Sequence, residues 1–396
     1  MLGPLEGVLV LDLSRIMAGP FCSMILGDLG AEVIKVERPG SGDDTRAWGP
    51  PFIGGESTYY LSINRNKKSI TVNLKSTKGI EIIKEMVKRS DILLENFAPG
   101  TMEKYGLAYD TLSKINPGLI FCSITGYGPD GPYKNRTGYD LVASAVGGLM
   151  SITGEEGGPP VKVGIAITDV VTGLFAHGAV LAALHARQKS GRGQRIDVSL
   201  LEAQVAALIN AASGYLNSGK VPIRLGTAHE SIVPYEAFKT KDKYIIIAAG
   251  NDKIFASLCE VLGIPELAHD PRFSTNAQRV ANRKELIPIL HAGTVKKTAD
   301  DWVRIFEENG IPSGPINDVK GVFEDPQVLH RGMLLEMRHP TAGKIRIAGI
   351  PVKYSDTKAE ARLHPPLLGE HTDEILKKYL GYDDRAIEQL RKEKVI

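Results

Sequence analysis

Val8-Leu9-Val10-Leu11-Asp12-Leu13, then Ala18-Gly19-Pro20, the stretch from Phe21 to Leu29, and Glu32-Val33-Ile34-Lys35-Val36-Glu37 together decide how this chain folds. The first run is short and apolar, the signature of a buried strand. Apolar residues then recur at 21, 24, 25 and 29, a helical spacing with a proline at its start. Gly30 closes that helix as a C-terminal cap would, and 32–37 reads as the next strand. Strand, short helix, strand predicts a parallel sheet with a right-handed crossover.

The same alternation continues outward. Ser69 to Leu74 reads as a strand, and Lys78 to Arg89 as an amphipathic helix with Ile82, Ile83, Met86 and Val87 on one face. Ile92-Leu93-Leu94 is a strand, Met102 to Ile115 is helical, and Leu119 to Ile124 is a further strand. The fold class expected is α/β, a doubly wound, Rossmann-like parallel sheet. From Asp169 to about Leu216 the chain is mostly helical, interrupted by Ser190-Gly191-Arg192-Gly193-Gln194 and a short strand at Ile196-Asp197-Val198. Residues 225–325 read as a second, smaller α+β domain, and 1–215 with 330–396 as the large domain. Ile345-Arg346-Ile347 and Val352-Lys353-Tyr354 suggest strands, and an amphipathic helix pair ends the chain.

A chain of 396 residues can bury a sizeable core, and 43% apolar with 24% charged residues is ordinary globular composition. The balance of 48 basic against 46 acidic residues gives no sign of a nucleic-acid surface or a polybasic membrane patch. Cys22, Cys122 and Cys259 lie far apart with no Cys-x-x-Cys pair, which fits a reducing compartment. The N-terminus lacks a basic, signal-like segment, and the apolar window from Val170 to Ala186 falls short of a ~20-residue span and reads as a core helix. A soluble intracellular protein is expected, in bacterial cytoplasm or, as a trimmed form, in the mitochondrial matrix.

Where a dinucleotide site would carry Gly-x-Gly-x-x-Gly, this chain has Met17-Ala18-Gly19-Pro20. Arg38 directly follows the acid that ends the second strand, and an Arg there suits a ribose phosphate. Asn64-Arg65-Asn66-Lys67-Lys68 and Lys75 form a basic strip, ordinarily a solvated face, that beside a nucleotide site could neutralise phosphates. Glu95-Asn96-Phe97 stands at the C-terminal end of a strand, the usual ligand edge of such a sheet. Thr168-Asp169 opens an apolar helix. A carboxylate there is stabilised as the anion by the helix dipole, which keeps a nucleophile charged, although Asp at a helix start is most often a cap. The nine histidines show no metal-ligand spacing, and no Gly-x-Ser-x-Gly elbow appears.

Several strings carry more information than periodicity. Leu5-Glu6-Gly7-Val8, Ala18-Gly19-Pro20, Leu29-Gly30-Ala31-Glu32-Val33-Ile34-Lys35-Val36-Glu37, Asn66-Lys67-Lys68-Ser69-Ile70, Glu95-Asn96-Phe97-Ala98-Pro99-Gly100 and Gly126-Tyr127-Gly128 together resemble the class III CoA-transferases over essentially the whole chain. Gly42-Asp43-Asp44-Thr45-Arg46, Gly226-Thr227-Ala228-His229 and Pro365-Pro366-Leu367-Leu368-Gly369 are most similar to the branch using succinate and hydroxymethylglutarate. The resemblance implies a nucleophilic aspartate at Asp169. It implies CoA contacts from Met17, Ala18, Arg38, Val72, Asn73, Leu74, Lys75, Asn96, Phe97, Ala98, Arg136, Thr137, Gly138 and Tyr139. Lys104 stands where relatives carry an arginine. Ala248-Ala249-Gly250-Asn251 replaces a tetraglycine lid, with Gly250 a substrate-side candidate. Arg46, Arg65 and His229 are candidate cations for the distal carboxylate of a dicarboxylate such as glutarate or hydroxymethylglutarate. CoA and acyl-CoA, succinyl-CoA first, are substrates; no permanent cofactor or metal is implied, and the partner is a second copy in an interlocked homodimer. Two rivals are weighed. A racemase on a similar fold carries Gly-His-Asp where this chain has Gly138-Tyr139-Asp140, and a tyrosine, with a pKa near ~10, is a poor base near neutrality. A non-catalytic CoA-binding protein leaves the match around Asp169 without a reason.

Overall fold

The computed structural model describes residues 3–396. The chain divides into two compact units: one runs to Leu149 and takes in Lys162–Gly219 and Pro326–Ile396, the other comprises Met150–Val161 and Lys220–Asp325.

The first unit is built on a six-stranded, wholly parallel sheet. Its order across the sheet is Lys67–Thr71, Glu32–Glu37, Leu9–Asp12, Ile92–Glu95, Ile120–Thr125, Arg195–Ser199. The chain winds outward from Leu9–Asp12 on one side, then returns and winds outward on the other. Between Leu9–Asp12 and Ile92–Glu95 the direction of winding reverses, and the carboxyl ends of such strands open into a crevice. Alternate residues of the first strand face opposite ways. Leu9 and Leu11 pack with Ile82, Ile83, Met86, Leu112 and the C-terminal helices Thr372–Leu380 and Asp384–Lys392. Val10 packs with Cys22, Leu26, Ala176 and Val180 from Ala18–Asp28 and Ile167–Ser190.

Several expectations shift. The helix expected over 102–115 is two, Thr101–Lys104 and Tyr109–Ile115, because the chain turns through Gly106 at φ +63°. The strand expected from Ser69 starts two residues earlier, at Lys67. Residues 352–354 form no strand; Ile345–Ile347 lies in a hairpin, Leu334–His339 with Gly343–Ala348. The Ile167–Ser190 helix buries only one stripe, including Thr172, Ala176 and Val180, while Leu174 and Phe175 are exposed.

The basic strip departs most from a solvated face. Asn64, Arg65, Asn66 and Lys67 are all buried. Lys67 Nζ donates to the Pro20 carbonyl and Asn64 Oδ1, each at 2.8 Å, and faces Asp12 at 3.4 Å. Asp12 also accepts from Ser23 Oγ at 2.5 Å and from the Ser14 N–H at 2.9 Å. Beside it, fully buried Lys35 donates to Asp43 at 2.8 Å and to the Ser14 carbonyl at 2.9 Å. Burial raises the Asp43 carboxyl, but Lys35 and the Thr45 N–H and hydroxyl outweigh it and bring it to about 2. Glu37 completes the network, accepting from Arg46, Ser69 Oγ and the Asp43 N–H.

The second unit packs a three-stranded antiparallel sheet, Ser313–Pro315, Tyr244–Ala248, Tyr235–Lys239, against Asp252–Leu262, Arg283–Thr294 and Ala299–Glu308. Its core holds Phe238, Ile245, Phe255, Leu258 and a stacked Trp302–Phe306 pair.

Because removing one member of a buried pair strands the other charge, Asp43→Ala is expected to destabilise the first unit by about 3–5 kcal/mol. Adding Lys35→Met should restore a substantial part, read from the urea midpoints of the single and double variants. Equal midpoints would show that Asp43 acts independently of Lys35. The low Asp43 pKa adds stability that is complete above the ordinary carboxylate range and is lost as pH falls toward 2.

Candidate active site

At the carboxyl ends of Leu9–Asp12, Ile92–Glu95 and Ile120–Thr125 lies a cavity of about 260 Å³. Its walls are Arg15-Ile16-Met17-Ala18, Asn96-Phe97-Ala98, the stretch Asn135–Tyr139, and Asp169. The buried network fixes the first wall: both Asp43 carboxylate oxygens accept the Ile16 N–H at 3.2 Å. Ile16 stands at φ +70°, a left-handed conformation that costs a β-branched residue roughly 1–3 kcal/mol. Asn96 then clamps the neighbouring residue, accepting the Arg15 N–H at 2.8 Å and donating to the Arg15 carbonyl at 2.7 Å. Glu95 accepts the Phe97 N–H at 2.9 Å and so shapes the second wall. Gly138 is required in the third, since a Cβ there would lie 2.4 Å from the Cα of Gly126.

Asp169 reaches the cavity from the first turn of Ile167–Ser190. That helix packs close to the 17–18 wall because Gly173 has no side chain; a Cβ would come within 2.7 Å of the Ala18 carbonyl. Asp169 does not cap its helix. Asp140 does this, its Oδ1 accepting the Thr168 N–H at 2.8 Å and the Asp169 N–H at 3.3 Å. The helix dipole therefore does not leave Asp169 an ordinary strong anion. Burial, joined by the Asp140 charge, pushes its carboxyl up to about 7. Tyr59 shares these surroundings: burial raises its phenol, and Asp169 and Asp140 add to the rise. The Trp48 ring stands edge-on to it at 5.2 Å.

The structure thus gathers Met17, Ala18, Asn96, Phe97, Ala98, Arg136, Thr137, Gly138, Tyr139 and Asp169 around one cavity. Arg38, Val72, Asn73, Leu74, Lys75 and Lys104 are not in its lining. Arg38 is exposed beyond the second strand, with Asp44 3.9 Å away. Val72 is buried, and the Asn73 N–H donates to the Val395 carbonyl at 2.7 Å. Lys104 ends a short exposed helix. Arg46 is bound to Glu37, the Tyr60 hydroxyl and the Pro366 carbonyl, and Arg65 to Asp28 and the Ala348 carbonyl. His229 and Gly250 belong to the second unit: His229 lies edge-on to Tyr235, and the Gly250 carbonyl accepts from buried Arg279.

Sequence reading passed over three side chains. Arg15 lines the cavity with its guanidinium 5.8 Å from the Phe97 ring centre, and its buried Nε has no hydrogen-bond partner among the described residues. Asp140 was visible in Gly138-Tyr139-Asp140, but only the middle residue was weighed. Tyr59 sits in no motif. Among the described residues no cluster of His, Cys, Asp and Glu is arranged to hold a metal.

A sheet edge that opens into a cavity with a carboxyl of raised pKa in its wall is an architecture common to α/β enzymes. The sequence profile of CoA-transferase family III matches residues 5–372. The chain belongs to this family and is a CoA-transferase. A Homo sapiens protein named succinyl-CoA:glutarate CoA-transferase is 56% identical over 387 residues, 98% of this chain and 88% of that protein. An Agrobacterium fabrum succinate–glutarate CoA-transferase is 44% identical over 379 residues, 94% of this chain and 95% of that one. The crystal structure of a CAIB/BAIF family protein from Brucella suis superposes with a TM-score of 0.86 at 43% identity, covering 96% of this chain and all of that one.

Two outcomes follow from the Asp140–Asp169 pair. Asp140→Asn keeps the capping oxygen and removes the like charge, so the Asp169 titration seen by carboxyl ¹³C NMR should move down by ~0.5–1 pH unit. A raised folded-state pKa means that stability falls as pH rises from the ordinary carboxylate value to about 7. Asp169→Asn should therefore raise the melting temperature by ~2–5 °C at about pH 8 and by little below about pH 4.

Proposed function

We propose that this enzyme transfers CoA from succinyl-CoA to glutarate or a closely related dicarboxylate, with the Asp169 carboxylate as the covalent carrier. The observation that carries this reading is the position of Asp169, the one acidic side chain among the described residues lining the 260 Å³ cavity at the carboxyl edge of the sheet.

In the first step a carboxylate oxygen of Asp169 attacks the thioester carbonyl and the C–S bond breaks. The products are a succinyl-aspartyl anhydride and CoA thiolate. Thiolate attacks the aspartyl carbonyl and expels succinate, leaving an aspartyl-CoA thioester. The incoming dicarboxylate attacks that thioester, regenerates thiolate and forms a second anhydride. Thiolate then takes the acyl group, and the Asp169 carboxylate is restored. Each step exchanges one acyl bond for another, so no oxidant or metal enters. The raised Asp169 pKa supports this role: a carboxylate partly stripped of water is a better nucleophile than a fully hydrated one, at the cost of partial protonation near pH 7.

Met17, Ala18, Asn96, Phe97, Ala98 and Gly138 are assigned to the pantetheine arm. Arg38, Lys75 and Lys104, near the same sheet edge, are assigned to the CoA phosphates. With Arg46 and Arg65 held in internal ion pairs, Arg15 and Arg136 are the cations that border the cavity. Tyr139 stands in the cavity wall where racemases on a similar fold carry a histidine base, and this argues against the racemase reading. A homodimer is part of the proposal. It is supported by the exposed apolar residues Leu174, Phe175, Ile209 and Leu216, more than a solitary helical surface ordinarily leaves to water. Light scattering should return twice the 42.9 kDa chain mass.

The test is CoA transfer from succinyl-CoA to a panel of mono- and dicarboxylic acids, in wild type and Asp169→Ala. Glutaryl-CoA formation by wild type alone is expected, with a loss of at least ~10³-fold in the variant and retention of CoA binding. Equal rates in both proteins would remove Asp169 as carrier, and transfer only to monocarboxylates would remove the dicarboxylate assignment.

A further inference from the structure

The turn Phe97-Ala98-Pro99 has open space on both sides. One side is the 260 Å³ cavity that holds Asp169. The other is a separate cavity of about 190 Å³, lined by Glu95, Tyr109, Ser123 and Arg195 as well as by the turn itself. With space on both sides, the packing of this turn is confined to the Phe97 ring against the core, and its backbone is fixed by hydrogen bonds, one of them from the Thr101 N–H to the Ala98 carbonyl at 3.0 Å. Glu95 supplies the others that tie it to the neighbouring strand. One carboxyl oxygen accepts the Phe97 N–H at 2.9 Å, and the other accepts the Ser123 hydroxyl from the adjacent strand. The next residue, Asn96, carries the two-bond clamp onto Arg15. One buried carboxyl thus ties the partition to the neighbouring strand, and through Asn96 to the opposite wall.

We propose that Glu95 is a positioning residue for thioester binding: as the carboxylate it holds the 97–99 turn against the CoA cavity, and on taking up a proton it lets that turn relax toward the space behind it, so that CoA affinity falls with pH. This rests on the reading of the larger cavity as the CoA site. A carboxylate accepts the Phe97 N–H and the Ser123 hydroxyl at full charge-assisted strength. A protonated carboxyl has to donate to one of its neighbours and offers the backbone a weaker acceptor.

The charged and titratable groups facing Glu95 are Glu103, Arg195 and Cys122, with the Tyr109 phenol on the cavity wall and Asp197 beyond Cys122 and Arg195. Burial drives the Glu95 carboxyl up, to about 7, against the lowering effect of Ser123 and the Phe97 N–H; Glu103 adds to the rise and Arg195 opposes it. Cys122 is itself pushed up to about 12, first by burial and then by Glu95 and Asp197, and stays a neutral thiol throughout. The working range of the device is therefore the unit on either side of neutrality.

The test is the CoA dissociation constant of wild type and Glu95→Gln by calorimetry at about pH 6 and about pH 8. Glutamine fixes the relaxed state, with an amide that donates to Ser123 and an uncharged oxygen for Phe97. CoA's own phosphate titrates identically in both measurements, so the readout is the ratio of the variant's constant to that of wild type. A ratio of roughly 3–10 at about pH 8, closing toward 1 at about pH 6, is expected. In turnover the loss should fall on KM for succinyl-CoA more than on kcat. Ser123→Ala, which removes one stabilising donor, should shift the midpoint of the wild-type pH dependence upward. A ratio of 1 at both pH values, or one that does not change with pH, overturns the proposal. So does a Ser123→Ala midpoint that stays in place. Met17→Trp, which fills the larger cavity, separates the two readings: wild-type CoA affinity in that variant would remove the cavity itself as the CoA site, whereas lost affinity with a flat Glu95→Gln ratio would remove only the role of Glu95.

Discussion

The Lys35–Asp43 pair is the constraint on which the rest of the site depends. Lys35 points inward from the second strand and cannot stay charged there without a partner. Asp43 arrives six residues after that strand ends, brought back by the turn at 38–42, and satisfies it. Having neutralised Lys35, the Asp43 carboxylate still has lone pairs to give, and it gives them to Thr45 and to the backbone of Ile16. The left-handed bend at Ile16 is the consequence. That bend directs Met17 and Ala18 toward the crevice instead of letting the first helix begin directly after the strand. Strain in the wall of the cavity is thus held by an ion pair that lies outside the cavity lining.

This arrangement explains where sequence reading succeeded and where it failed. The alternation of apolar runs and helical spacing was legible, because strands buried on both faces leave near-continuous apolar strings and the helices beside them leave one-sided ones. The parallel sheet followed from that alone, whereas most of the cavity residues were named only through the resemblance carried by short motifs. Asn64-Arg65-Asn66-Lys67 misled for a physical reason: four consecutive polar residues ordinarily face water, and nothing local reveals the acceptors that the fold brings to them. Those acceptors are Asp12, Asp28, the Pro20 carbonyl and the Glu360 carbonyl, and two of them come from the first helical unit while the last lies almost three hundred residues away. Arg46 and Arg65 were plausible ligands for a carboxylate for the same reason. Arginine's planar fork suits a bidentate carboxylate, and the fold supplies one to each from within, at Glu37 and Asp28.

Asp169 illustrates how a motif can name a residue and still mislead about its state. From sequence, a carboxylate in the first turn of a helix should be held as the anion by the dipole. In the fold that benefit goes to Asp140, which occupies the free N–H groups of Thr168 and Asp169. What remains for Asp169 is burial and a like charge, both of which favour the proton. The two acids therefore differ: Asp140 caps the helix, and Asp169 has a carboxyl pushed up to about 7. Only the side-chain positions reveal which is which, since both sit within two residues of a helix start.

That division bears on why a transferase of this kind need not become a hydrolase. An acyl-aspartyl anhydride is destroyed by any water activated close to it, and an ionised carboxylate left free beside the anhydride would serve as the activating base. Asp140 is the acid whose charge bears on Asp169, and its Oδ1 accepts from the backbone of the helix that carries Asp169. An acid used as a cap is a poor base, because proton uptake would break two hydrogen bonds to buried amides. On the proposed mechanism, the side chain that helps raise the Asp169 pKa is thus kept from acting as a base on the intermediate by the two amides it caps.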